Sequence, residues 1–116
     1  AAEGVVNIKI DDNGNTRREA WGGSFNSRGQ VYLVDEEKRT ASLELSADLG
    51  EASDSQGSAQ RLSNGNYHFL SGMLVDGNRR FNESEEVSPA GLGGAIRYCF
   101  QVNSASYRSF RLHSLY

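Results

Sequence analysis

Three reversal signals of one kind punctuate this chain: Asp12-Asn13-Gly14-Asn15, Ser63-Asn64-Gly65-Asn66 and Asp76-Gly77-Asn78, each beside a short apolar run. Asn-Gly and its relatives tolerate positive φ, which a tight reversal between antiparallel strands demands. Thirteen glycines, a single proline and short apolar runs parted by Asn, Asp, Gly and Ser read as strands joined by turns. No window keeps apolar residues at i, i+3, i+4, i+7 long enough to give a helix a buried stripe. The expected fold class is therefore all-β, an antiparallel meander of about seven strands.

Val6, Ile8 and Ile10 alternate with Asn7 and Lys9, which predicts a half-buried strand over 5–10. Residues 30–34 are apolar on both faces and predict a strand covered on both sides. Asp35 to Lys38 turn the chain, and Ala41, Leu43, Leu45 and Ala47 alternate with Ser42, Glu44 and Ser46 to complete a hairpin. A second hairpin runs through 58–62 and 67–74. Residues 76–94, rich in glycine and acid, are expected to be a functional or mobile loop. A final pair is expected at 95–102 and 107–112.

At 116 residues the chain fits a single domain. Five Phe and five Tyr supply apolar area that can offset chain entropy. The formal charge of −3 gathers no phosphate backbone, so nucleic acid is not an expected partner. No run approaches the ~20 apolar residues that cross a bilayer, so no membrane partner is expected. The opening Ala1-Ala2-Glu3-Gly4 lacks a charged segment leading into an apolar one, so the protein is either not exported or missing a leader. Cys99 alone cannot form an internal disulfide; on the strand face opposite Tyr98 and Phe100 it is expected to be a small buried residue.

The runs DNGN at 12–15 with Arg17 or Arg18, SRGQVYLVDE at 27–36, GSAQRLSNGN at 57–66 and YRSFRLHSLY at 107–116 occur in an order that resembles the arylsulfotransferase-like family of β-propellers. The resemblance covers most of the chain. The first two Asn-Gly turns lie about 50 residues apart, which fits a blade with a long loop. Family members are whole propellers several times longer, so the chain looks like their C-terminal part, roughly two terminal blades. Such a piece cannot close a ring, and its flanks would leave strand edges and apolar faces bare, which implies self-association, hence a homo-oligomer, or a compact core of its own. The resemblance also implies a periplasmic or extracellular setting if a leader is missing, and a cytoplasmic one otherwise.

In the resembled family a histidine at the propeller axis takes the sulfuryl group. Only His68 and His113 exist here, and neither matches that position. His68 is the weak catalytic candidate; its plainer reading is a packed or hydrogen-bonded strand residue. Arg17, Arg18 and Arg28 are the anion-binding candidates, because guanidinium forks match sulfate and carboxylate, with surface ion pairs as the plainer reading. Trp21, beside Gly22 and Gly23, is a candidate for stacking on a sugar or aromatic ring, or else caps the core edge. Asp11, Asp12, Asn13 and Asn15 lack the full calcium-loop spacing, so a turn is expected there and no metal. No motif implies a cofactor. The function expected is a non-catalytic propeller-derived module working by self-assembly or by binding a small anionic or aromatic ligand. The alternative is a sulfuryl-transfer enzyme whose site is rebuilt by oligomerisation.

Overall fold

The computed structural model describes residues 4–14 and 26–112. Over these residues the fold is all-β, with seven antiparallel strands in two meanders. The first sheet holds β1 (Val5–Asp12), β2 (Arg28–Asp35) and β3 (Thr40–Asp48) in that order. The second holds β4 (Gly57–Arg61), β5 (Tyr67–Asp76), β6 (Arg79–Ser88) and β7 (Ala95–Val102), also in chain order.

The turns form as their residues dictate. At the β4–β5 hairpin Gly65 takes φ +88°, the Asn64 side chain accepts from the Asn66 amide at 3.0 Å, and the Leu62 amide donates to the Asn66 carbonyl at 2.8 Å. At the β2–β3 turn the Asp35 carboxylate accepts from the Lys38 amide at 3.0 Å.

One face of each sheet builds the core. Val31, Leu45 and Ala47 from the first, with Leu49 just past β3, meet Tyr67, Phe69 and Val87 from the second, with Ala59 at the margin. Gly29 lets β2 come close: a Cβ there would lie 2.5 Å from the Phe69 ring. The loop between the sheets is fastened by Ser53, which is fully buried and accepts from the Met73 amide at 3.0 Å. The Asp54 amide donates to the Met73 carbonyl at 3.1 Å. These bonds satisfy the backbone where β5 and β6 slip register between Ser71 and Leu74.

Several expectations are corrected. Residues 76–94 are mostly the strand β6, reached by a two-residue turn at Gly77 and Asn78. Its run Asn82 to Glu86 carries no apolar alternation, so it reads as loop although neighbours pair it on both sides. Residues 107–112 form no strand and run as a tail held by side chains. Val6, Ile8 and Ile10 face outward, 40–41% exposed, while Asn7, Lys9 and Asp11 occupy the inward side of β1. Residues 30–34 are not covered on both sides: Val31 is buried on the core face, while Tyr32 and Val34 on the other face are only partly covered. The run Ala41 to Ala47 does not share one face, because the β2–β3 register slips between Val31 and Tyr32; Leu43 is exposed and Leu45 buried. Cys99 is exposed.

Candidate functional site

The second sheet turns one side to the core and the other to a groove of about 690 Å³. The tail after β7 makes the roof by doubling back across β6, β5 and β4. Asn82 Nδ2 donates to the Ser104 carbonyl at 2.7 Å, and the Ser106 amide donates to the Gly72 carbonyl at 2.9 Å. Ser58 Oγ accepts from the Ser109 amide and donates to the Ser109 carbonyl. Gln60 repeats the pattern with Arg111, accepting from its amide at 2.8 Å and donating to its carbonyl at 2.9 Å. Side chains two residues apart on β4 thus stand in for a neighbouring strand's backbone.

Period-2 alternation places His68, Glu86 and Tyr98 in one row across the groove, and Leu70, Ser84 and Phe100 in the next. Tyr98 and Phe100 stack with centroids 6.5 Å apart and are half exposed, as is Phe110 of the tail. Glu86 holds Arg111 at 2.7 Å and also accepts from Asn66 and Asn64, donors that keep its carboxyl below the usual range. The groove therefore offers aromatic walls over a floor of hydroxyl, amide and carboxylate groups.

His68 is buried, and its Nε2 lies 2.9 Å from Ser109 Oγ, which in turn lies 3.0 Å from Ser84 Oγ. Burial, followed by the nearby Arg111 cation, lowers the imidazole pKa against an opposing pull from Glu86, so the ring is neutral at pH 7. Its Nδ1 is buried without a partner. The single proton of a neutral ring goes where it makes a bond, so Nε2 donates to Ser109. A base for Ser109 would need the reverse tautomer with a carboxylate on Nδ1, and among the described residues none reaches that nitrogen. The His68–Ser109–Ser84 chain is an anchor for the tail.

Arg28 lies on the outer face of the first sheet. Its guanidinium donates to Ser46 Oγ and to the Ser46 carbonyl, both at 2.7 Å. His68 is on the outer face of the second sheet, so one copy of the chain does not bring the two together. Arg17, Arg18, Trp21 and His113 lie outside the described residues. At the first Asn-Gly turn Asp12 accepts from the Gly14 amide at 2.9 Å. Sequence reasoning missed Gln60, Ser84, Ser109 and Arg111; the clue available was the polar spacing of Ser58 and Gln60 on one strand face. Compared with protein-family models, curated proteins and solved structures, the chain matches none.

Proposed function

We propose that this chain is a non-catalytic pair of propeller-like blades that works by packing face to face with a further sheet, supplied in the isolated protein by a second copy. The carrying observation is the outer face of the first sheet, where Val6, Ile8 and Ile10 stand beside Tyr32, Val34 and Leu43. Four of these six are 38–41% exposed. The usual arrangement is reversed on β1, whose polar residues point inward and whose aliphatic residues point out. A contiguous apolar sheet face of this kind is the geometry of a sheet-on-sheet contact. The second sheet differs, since its own tail crosses its outer face.

Two successive meanders, each with strands in chain order, and the four motifs resembling the arylsulfotransferase-like propellers support the same reading. The groove under the tail would take a small aromatic ligand against Tyr98 and Phe100. Sedimentation velocity over a range of concentrations tests the assembly. Self-association should be present in the native chain and lost in Ile8→Glu, with circular dichroism unchanged. A native chain that stays monomeric throughout, or an Ile8→Glu variant that associates as well as the native one, would overturn the reading.

A further inference from the structure

The core side of the second sheet carries a group that neither the groove nor the assembly face explains. Glu85, in the middle of β6, is 2% exposed, yet among the described residues no donor group reaches either of its carboxylate oxygens, and its polar neighbour is another carboxylate, Glu83, with which it can only share a proton. Burying a carboxyl in this way is costly, because water is removed and only a second carboxylate takes its place. Glu83 lies on the same face two residues earlier, and Cys99 is the direct cross-strand partner of Glu85 on β7. One donor atom from each of the three lies within 4.8 Å of the other two.

We propose that Glu83, Glu85 and Cys99 form a binding site for a divalent d-block cation of the zinc class. Such an ion sits about 2.0–2.3 Å from oxygen and sulfur donors, so a small inward movement of the side chains closes this set around it. The thiol favours zinc, cobalt or cadmium over magnesium or calcium, which prefer oxygen alone. Gln101 Nε2 donates to Glu83 Oε2 at 2.7 Å, which orients that carboxylate beside Glu85 and Cys99. Cys99 is exposed and gives the ion its way in. Three protein donors leave a fourth position for water or a ligand atom.

The surrounding charge agrees. Burial, a hydrogen bond shared with Glu83, and the charges of Glu83, Asp48 and Glu51 raise Glu85 to about 9, while partial desolvation of the otherwise exposed Cys99 sulfur, with Glu83 and Glu85 beside it, raises the thiol to about 12. A cation removes both penalties. Binding is then an exchange in which Zn²⁺ enters and the protons of the Glu85 carboxyl and the Cys99 thiol leave to solvent.

The test uses the full chain stripped with a chelator and dialysed free of it. Zn²⁺ is titrated calorimetrically in two buffers of different ionisation heat, and Co²⁺ serves as a spectroscopic probe of thiolate ligation. The expected result is one ion per chain, proton release, and a sulfur-to-cobalt charge-transfer band. Glu85→Gln and Cys99→Ser should each weaken binding by about tenfold or more, while His68→Ala, on the opposite face, should leave it unchanged. Cys99 is exposed, so its serine variant tests the site without a folding penalty. Absent binding, a cobalt complex without the thiolate band, or affinity unchanged in both ligand variants would overturn the proposal.

Discussion

Replacing Glu85 by glutamine in metal-free protein should stabilise the fold at neutral pH and remove part of its pH dependence. The folded-state pKa of about 9 stands above the ordinary 4.5, first through burial and then through the neighbouring Glu83. The folded chain therefore holds a proton that the unfolded chain has released, throughout the window from about pH 4.5 to 9. Stability falls as pH rises through that window, by about 1.4 kcal/mol per unit for one group. At pH 7 the accumulated loss is roughly 3 kcal/mol, and any folded-state pKa above 7 gives the same figure. Glutamine keeps the shape and does not titrate. Asp11, raised by burial and by Asp12 to about 8, adds a similar slope to native protein and variant alike, so it cancels in the difference. Urea unfolding at half-unit steps from pH 5 to 8.5, with chelator present, measures the two stabilities. The advantage of Glu85→Gln should grow by about 1.4 kcal/mol per pH unit. A difference that stays constant across the series would refute the reasoning.

Two further variants probe the packing and the tail. Gly29→Ala places a methyl 2.5 Å from the Phe69 ring in the centre of the core, so either the ring or β2 must shift. Urea unfolding should show a loss of about 1–3 kcal/mol, and an unchanged midpoint would mean that the two sheets are not in contact there. Ser109→Ala removes the hydroxyl that His68 and Ser84 share, leaving His68 with no partner on either ring nitrogen. A loss of about 1–3 kcal/mol is expected. Hydrogen exchange at the Arg111 amide should also speed up, because its bond to Gln60 closes only when the tail lies on the sheet. Exchange at the native rate would show that the tail is anchored elsewhere.

The strands on either side of a good turn signal were legible, because Asn64-Gly65 and the alternation of β4 and β5 act locally. β6 was hidden by the same locality. Its Asn-Glu-Ser-Glu-Glu run has no apolar period, and only pairing with β5 and β7 makes it a strand. The tail Tyr107 to Leu112 erred the other way, since strand-like composition over 107–112 met partners that were side chains of Ser58 and Gln60 in place of a backbone. Of the groove, the sequence offered His68 alone. Its partner Ser109 lies 41 residues further on, and Ser84, which bonds Ser109, lies 16 residues further on, as the numbering shows.

By itself, then, the order of residues determined that this chain forms antiparallel ribbons, since period-2 alternation and positive-φ turns are properties of neighbours. Only the packing of one sheet on the other decided which face of each ribbon is the inside. It sent Ile8 outward and Asp11 inward on β1, while the pairing of β6 with β7 put Glu85 and Cys99 side by side. The physical reason is that alternation marks two faces without naming the one that will be covered, and a one-residue slip in register exchanges them.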